Sequence, residues 1–364
     1  MTKTKLKVVE TLEEVDRTAS LRTFLKQEDE RVSKIMFKLE SCYVGSRRDD
    51  DIAVQLKRLI KNSLKRRFPP RPEGDGNRKA GVGFAVVGKS GSGKTTALET
   101  ILATHPAFPG YAVPKSGCVF ISVLVPSPCT LAQLGNAVLE ELGYDTEAPL
   151  RENEAWKRVR ALLKKKRIMF LHFDDIHNVL HQASAREIKK VQDTLRNLMI
   201  SRIWPVQLVL SGIEDSLGVF KKDRQLRRRL KYVVFDDLVP ADDADWIRKA
   251  VKDFVTAAGL KYVERPGAML IERLFHAAAY QFGLLFEILL EAIETAVSAK
   301  RMKFGIEDLE KSYADRTAQP DDLNVFSSPA WQTIDPSVIF ENEDDEGEEQ
   351  ATKSRKKSEV RRFE

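Results

Sequence analysis

Residues 88–95 read Gly88-Lys89-Ser90-Gly91-Ser92-Gly93-Lys94-Thr95. This run fits the pattern G-x-x-x-x-G-K-[ST] of a phosphate-binding loop without a gap or a substitution. The apolar run 83–87 before it predicts a short buried strand, and residues 96–102 predict the first turns of a helix. In that order, glycines turn backbone N–H groups toward phosphate oxygens, and the helix N-terminus adds its positive dipole end. A chance glycine-rich turn does not require both flanking elements, so we favour the phosphate loop.

The loop predicts contacts to a nucleotide and to a magnesium ion. Lys94 is expected to reach the β- and γ-phosphates, and Thr95 to offer its hydroxyl to Mg²⁺. The expected nucleotide-binding residues are Gly88, Ser90, Gly91, Ser92, Gly93, Lys94, Thr95 and Thr96.

An apolar run at 168–173 ends in the paired acids Asp174 and Asp175. In a phosphate-loop NTPase, the acid at the end of such a strand helps to hold Mg²⁺, and a neighbouring acid activates the attacking water. We therefore predict Asp174 as a metal ligand and Asp175 as the base. The alternative is a strand that simply ends in polar residues.

Two later features also fit this chemistry. Ser211 closes the apolar run 206–211 and is predicted to bond the γ-phosphate or the attacking water, although an ordinary Ser-Gly turn explains it equally well. Arg228 and Arg229 lie in a run of arginines, from which an arginine can stabilise charge on a neighbouring subunit's nucleotide. Phosphate contacts to DNA and a solvated face are the competing interpretations. His105, His172, His181 and His276 show no metal-ligand spacing, and we assign them no chemistry. His177, which follows the paired acids, is open to two interpretations: a residue that senses nucleotide or couples to DNA, or a packed polar residue at the start of a helix.

The chain divides into four predicted regions. Residues 1–80 are helical and end in a linker rich in proline and glycine at 69–77, and residues 81–240 alternate apolar strands with helices. Such alternation predicts an α/β domain with a parallel sheet flanked by helices. Residues 241–317 are predicted to be all helical, and residues 318–364 to form a charged, flexible tail.

Composition limits the classes of protein that remain. The net charge is +6, and basic residues crowd 57–79 and 221–231, which favours a polyanion such as nucleic acid over a merely solvated surface. No apolar run is long enough to predict a membrane span, and the charged start does not resemble a secretory signal. Three cysteines at unrelated spacings predict neither a disulfide framework nor a zinc site, so we expect a reduced cytosolic compartment.

The phosphate loop, the paired acids, the Ser-Gly strand, the arginine cluster and the helical part resemble, in this order, the AAA+ ATPases. More narrowly, the chain resembles the TniB/TnsC-type ATP-binding regulators of DNA transposition. The narrower signal is the run Asp174-Asp175-Ile176-His177-Asn178, where the family typically shows Asp-Glu-Ile-His-Asn. The stretch 123–143 resembles the family's strand, proline-containing turn and helix, and Arg229 is best placed to act as its arginine finger.

The resemblance implies an AAA+ P-loop NTPase fold with a helical lid subdomain and a disordered C-terminal tail, and it implies ATP and Mg²⁺ as cofactors. Asp175 replaces the family's catalytic Glu and is one methylene shorter. Because an error of 1 Å in position can cost on the order of 10²-fold in rate, we expect slow hydrolysis. The lid's usual arginine is missing from Gly283-Leu284-Leu285-Phe286-Glu287, so we expect no nucleotide contact from an arginine there.

The resemblance also implies partners. ATP is expected to stack subunits head to tail on duplex DNA, without sequence preference, as a ring or helical filament. The assembly would mark a target site and recruit the transposase together with a target-selection protein, and hydrolysis would dissolve it. Lys115 and Thr130, which flank the second strand, are the expected DNA contacts, with a solvated surface as the alternative for each. The tail is a candidate for transposase docking, and the expected location is the bacterial cytoplasm and nucleoid.

Two other functions remain open from the sequence. An initiator or helicase-loading AAA+ ATPase usually carries a winged-helix domain after the lid, and residues 314–364 are short and highly charged for one. A signalling NTPase that binds protein partners would lack salt-dependent DNA binding. That difference distinguishes it from a DNA-binding regulator of transposition.

Overall fold

The computed structural model describes residue 24 and residues 27–111, 113, 116–145, 148–180 and 183–340. Its centre is a five-stranded parallel sheet in the order β2-β3-β4-β1-β5. The strands are β1 (Gly83–Gly88), β2 (Phe120–Leu124), β3 (Phe170–Asp174), β4 (Gln207–Gly212) and β5 (Leu230–Phe235). The runs 83–87, 168–173 and 206–211 that were predicted as strands are confirmed, with ends shifted by one or two residues.

Helices cover both faces of the sheet and continue beyond it. They are α1 (Gln27–Glu40), α2 (Arg47–Ser63), α3 (Lys94–Thr104), α4 (Leu131–Glu141), α5 (Glu152–Lys165), α6 (Ala185–Ile200), α7 (Glu214–Lys222), α8 (Arg224–Arg227), α9 (Pro240–Ala257), α10 (Leu270–Ala277), α11 (Phe282–Ser298) and α12 (Ile306–Thr317). A two-stranded parallel ribbon, β6 (Lys261–Tyr262) with β7 (Lys303–Phe304), joins the last four helices.

The sheet separates two apolar layers because successive residues of a strand point to opposite faces. Phe84 and Val86 of β1 pack with α2 and α3 on one face. Ala85 and Val87 pack with α4, α5 and α6 on the other. Both faces of each central strand are therefore buried, which explains why the strands are continuous apolar runs rather than alternating ones.

The described helices at the start of the chain, α1 and α2, do not form a separate unit. Val32, Met36 and Leu39 of α1 pack into the cluster formed by helices α9–α12, which we call the lid. The fully buried Ile52, Leu56 and Leu59 on the next helix, α2, pack instead against the sheet. The first two helices thus bridge the lid and the nucleotide-binding core.

The segment after α12 corrects the predicted tail boundary. Residues 321–340 form 3₁₀ turns, and Val325, Phe326 and Trp331 are buried in the lid cluster. Arg273 of α10 anchors the segment by donating to the carbonyl of Ser328 at 2.8 Å. The described residues after 318 therefore belong to the lid, because their aromatic side chains complete its core, and residues 341–364 lie outside the described part of the chain.

Within the described ranges, no single helix is long and apolar enough to cross a membrane. One pair of helices, Leu270–Ala277 and Phe282–Ser298, passes by combined length and composition, but the pair is bent by 118°.

Candidate nucleotide site

The phosphate loop connects the carboxyl end of β1 to the N-terminus of α3. Gly93 caps the helix with a left-handed backbone (φ 84°), a conformation that glycine adopts without steric cost. A Cβ on Gly88 would lie 2.9 Å from both the Phe235 carbonyl and the Ser92 hydroxyl. The two glycines are therefore required where the chain turns and where it passes close to β5.

Lys94 is buried inside this loop, at 7% exposure. Its Nζ donates to the carbonyls of Lys89 at 2.7 Å and Gly88 at 3.1 Å, and to the hydroxyl of Ser92 at 3.3 Å. Burial lowers the pKa of Lys94, while Asp175 and Asp174 act to raise it. A buried cation ringed by a glycine-rich turn at a helix N-terminus fits the phosphates of a nucleotide.

Asp174 ends a chain of hydrogen bonds that crosses three strands. The Ser211 hydroxyl on β4 donates to Oδ1 of Asp174 and accepts from Nε2 of His172 at 2.8 Å. The Ser122 hydroxyl lies 2.9 Å from the other ring nitrogen, Nδ1 of His172, and Tyr111 lies 2.5 Å from Ser122.

The Asp174 carboxylate determines which group donates and which accepts in each of these hydrogen bonds. Asp174 only accepts, so Ser211 must donate to it, His172 must carry its proton on Nε2, and Ser122 must donate to Nδ1. Burial lowers the pKa of His172 to about 4, which keeps the ring neutral near pH 7 and permits this single tautomer. We call the set Tyr111, Ser122, His172 and Ser211 the relay.

Asp175 follows in a left-handed backbone conformation (φ 53°), which turns the chain away from the strand. Its carboxyl is half-buried, and burial, then repulsion from Asp174, raises its pKa. Nδ1 of His177 lies 3.7 Å from its Oδ1. A carboxylate with a raised pKa beside a phosphate loop suits a base that accepts a proton from water.

No group of three or more His, Cys, Asp or Glu side chains in the described ranges is arranged to hold a metal on its own. Mg²⁺ in such sites is held by few protein groups together with phosphate oxygens. Thr95, in the first turn of α3, and Asp174 are the residues that would hold it.

A cavity of about 200 Å³ opens beside the phosphate loop. Tyr43 and Val44 of the α1–α2 connection line one side, Phe282 and Phe286 of the lid line the other, and Thr96 borders it. Its aromatic and apolar walls next to a phosphate site suit a nucleobase. Sequence reasoning missed these residues because they lie far apart in the chain and form no motif. Only the absence of the family's usual arginine from Gly283–Glu287 drew attention to this part of the chain.

The lid rests directly on the phosphate loop. The amide of Leu284 in α11 donates to the carbonyl of Gly91 at 2.9 Å. A Cβ on Gly283 would lie 2.6 Å from that carbonyl, so glycine is needed for the approach. Arg48 of α2 donates to the Ser92 carbonyl at 3.4 Å and lies 5.5 Å from the ring centre of Phe282, linking core, loop and lid.

Three of the residues predicted to contact a neighbouring subunit's nucleotide or DNA lie in the described part of the chain. Arg228 is exposed, and Arg229 donates to the carbonyl of Gly81 at 3.2 Å, at the amino edge of the sheet, away from the chain's own phosphate loop. Thr130 caps α4 through its bonds with Gln133. Lys115 lies outside the described residues. Ser211, Lys94, Asp174 and Asp175 are brought together as predicted.

The fold and the site define an AAA+ type of phosphate-loop protein. The chain is similar to Cdc6p from Pyrobaculum aerophilum (15% identity, TM-score 0.50), covering 75% of this chain and 69% of that one. It is likewise similar to the ORC1 protein of Aeropyrum pernix, solved in complex with DNA (15% identity, TM-score 0.51), covering 78% of this chain and 72% of that one. At these identities the similarity concerns the fold.

The comparison with protein-family models gives a more specific match than the comparison of folds. Residues 75–238, which contain the nucleotide-binding core, match the family model of the bacterial TniB protein. The match spans the phosphate loop, the paired acids, Ser211 and both arginines. No curated protein sequence matches the chain significantly.

Proposed function

We propose that this protein is an ATP-dependent, DNA-binding regulator of transposition that assembles on duplex DNA in its ATP state. The observation that carries the proposal is the TniB match over residues 75–238, a range that holds all the predicted nucleotide residues. The assembly marks a target site and recruits the transposase, and ATP hydrolysis returns the subunits to solution.

The site residues support this cycle with separate tasks. The loop amides and Lys94 hold the phosphates, Thr95 and Asp174 hold Mg²⁺, and the cavity beside Thr96 takes the base. Bound Mg²⁺ neutralises developing phosphate charge. Asp175 accepts the proton of the attacking water, and Ser211 positions that water or the γ-phosphate while it fixes the Asp174 carboxylate.

Assembly follows from where the arginines lie. Arg228 and Arg229 stand at the amino edge of the sheet, whereas the phosphate loop stands at the carboxyl edge. An arginine at one edge can therefore stabilise charge only at the nucleotide of another copy. Such a contact is head to tail, and it generates a closed ring or a helical filament. Because ATP lies within that contact, ATP binding promotes assembly.

The experiment measures binding to random-sequence duplex DNA with ATP, with a slowly hydrolysed analogue and with ADP, and images each mixture by electron microscopy. We expect rings or filaments on DNA with ATP or the analogue and none with ADP. Lys94→Ala should abolish them, whereas the matched exposed variant Lys157→Ala should not. Salt-insensitive or undetectable DNA binding in every nucleotide state would overturn the proposal in favour of an NTPase that binds proteins. Preference for one defined DNA sequence would instead favour an initiator.

A further inference from the structure

Three turns meet at the amino edge of the sheet, opposite the nucleotide site. They are the loop 65–79 before β1, the turn 164–167 before β3 and the turn 201–204 before β4. The amide of Gly76 donates to the carbonyl of Ile203 at 3.2 Å, and Asp75 bonds Lys164 at 3.0 Å. Arg78 stacks on Trp204, 4.5 Å from the ring centre. Through these contacts the three turns form one continuous surface.

This surface is strongly basic. Its exposed cations are Lys65, Arg66, Arg67, Arg71, Lys79, Lys164, Lys165, Lys166, Arg167 and Arg202. The same turns contain two acids, Glu73 and Asp75, and Lys164 and Arg167 flank Asp75. We call the ten cations the amino-edge basic surface. A concentration of one sign of charge attracts polyanions over a Debye length of about 10 Å at 0.1 M salt.

The loop that carries half of these cations is rigid. The buried side chain of Asn77 accepts from the Phe68 amide at 2.8 Å and donates to the carbonyl of Pro72 at 2.8 Å. It also lies 3.1 Å from the carbonyls of Phe68 and Arg71. The buried Asn77 side chain thus connects the two ends of the loop by hydrogen bonds. The cations of the loop therefore need little further ordering when a ligand binds.

Two arginines are held in place by one aromatic ring. The guanidinium carbons of Arg67 and Arg71 lie 5.3 and 5.0 Å from the ring centre of Phe68. Stacking on a ring restrains a guanidinium plane but leaves its N–H groups at the edge for other partners. The fork of an arginine matches two phosphate oxygens.

We propose that the amino-edge basic surface binds the phosphate backbone of duplex DNA. The inference rests on the proposed function and locates the DNA contact within it. Residues 116–119, which precede β2, also lie at this edge of the sheet. Strands of six residues separate this edge from the same subunit's phosphate loop by about 20 Å, so DNA held here does not block that subunit's own nucleotide site.

The test compares the variant Arg67→Gln/Arg71→Gln/Lys79→Gln with the control Lys249→Gln/Lys261→Gln/Lys303→Gln. The control removes three exposed cations from the lid and so makes the same change in net charge. Fluorescence anisotropy measures binding to labelled random-sequence duplex with an ATP analogue at several salt concentrations. ATP affinity and basal hydrolysis are measured beside it, together with the melting temperature of both proteins.

We expect the first variant to bind DNA about tenfold more weakly, with a log–log salt slope smaller by about 2–3, roughly one unit per lost phosphate contact. Its ATP affinity and melting temperature should stay at the level of the control. If the wild type binds DNA and the first variant binds it with the same affinity and the same salt slope, this surface is not the DNA contact, while the proposed function stands. Absence of DNA binding in the wild type would overturn the proposed function itself.

Two further outcomes identify other partners for the surface. Loss of DNA-free assembly with ATP, seen by mass photometry in the first variant alone, would show that the surface contacts a second copy, and it would overturn the proposal. Equal displacement of DNA by polyglutamate of the same charge, at equal residue concentration, would assign the surface to acidic proteins. A charge-preserving variant, Arg67→Lys/Arg71→Lys, should keep the salt slope, and loss of the slope in that variant would also contradict a phosphate contact.

Discussion

Nε2 of His172 lies 2.8 Å from the hydroxyl oxygen of Ser211, and this bond leaves the Ser211 proton free to point at Asp174. The histidine is buried, so the bond is strong and costly to break. The relay therefore fixes the orientation of the carboxylate that is proposed to hold Mg²⁺. Sequence reasoning assigned His172 no chemistry, because it acts through hydrogen bonds between strands rather than through metal-ligand spacing.

Ser211→Ala removes the group that holds Asp174 while keeping the size of the side chain close to the original. We expect ATP hydrolysis to fall by on the order of 10²-fold, because the loss of a positioned donor costs about that factor, while ATP binding changes little. Single-turnover hydrolysis and nucleotide titration, measured separately, distinguish the two effects. Ser211→Thr, which keeps the hydroxyl, should recover part of the rate. Equal losses in binding and hydrolysis would mean that Ser211 serves the fold alone.

His172 should make stability depend on pH in a defined window. Burial lowers its folded pKa to about 4 from the ordinary 6.5, so the unfolded chain takes up a proton first as the pH falls. The free energy of unfolding is thus unaffected by this group above about pH 6.5 and declines toward pH 4, by at most ~1.4 kcal/mol per pH unit. Urea titrations of the nucleotide-free protein across this window measure the slope. The dependence of the unfolding free energy on pH should be flatter in His172→Gln than in the wild type.

The local parts of the site were predictable, and the parts built by tertiary contact were not. Residues 88–95 and the acids at the carboxyl end of β3 carry their chemistry in short motifs, so their convergence at one edge followed from parallel strands. Tyr43 and Arg48 reach the site from a connection with no motif, through contacts such as that of Arg48 with the Ser92 carbonyl. The segment 321–340 looked like a tail because it is short of regular helix, yet three apolar side chains bury it in the lid.

Asp175→Glu should accelerate hydrolysis. The longer side chain moves the carboxylate toward the water that it is proposed to activate, and an error of 1 Å costs on the order of 10²-fold. We expect a gain of about tenfold or more in turnover under saturating ATP and Mg²⁺. The matched change Asp193→Glu, on the outer face of α6, should leave the rate unaltered. An unchanged rate in Asp175→Glu would show that the shorter side chain at this position is not the reason for slow hydrolysis.

Acid should also inhibit turnover through this residue. Burial and Asp174 raise the pKa of Asp175, and a base works only when deprotonated. The rate under saturating ATP should therefore fall at a pH above the ordinary Asp range as the pH decreases. In Asp175→Asn the residual rate should lose this acid limb, and the pH–rate profile is the measurement. An identical limb in both proteins would assign the titration to another group.

Gly283→Ala should separate the lid from the phosphate loop. The added methyl would lie 2.6 Å from the Gly91 carbonyl and 3.0 Å from the Gly93 amide, so either the loop or the lid must shift. We expect nucleotide affinity to drop by about tenfold with a stability cost of about 1–3 kcal/mol. Gly218→Ala, where an added Cβ meets no atom within 4 Å, is the control and should leave both quantities near wild type.

Phe326→Ala should destabilise the protein although it lies beyond the last long helix. The ring is 3% exposed and packs edge-on against Tyr313, at 5.5 Å between ring centres, so its removal should cost about 3–5 kcal/mol. Thermal melting checks this, and an unchanged melting temperature in Phe326→Ala would contradict it. A test of transposase docking by the tail therefore starts its deletion at residue 341, since a deletion from 318 would also damage the lid.

The Leu284 amide holds the Gly91 carbonyl, so the phosphate loop and the helix α11 cannot shift independently. A ligand that rearranges the loop changes the free energy of that bond. By thermodynamic reciprocity, any molecule that pulls on the lid must change the loop's affinity for the ligand by the same factor. A partner that binds only the outer surface of the lid thus changes the protein's affinity for the nucleotide, without touching the nucleotide.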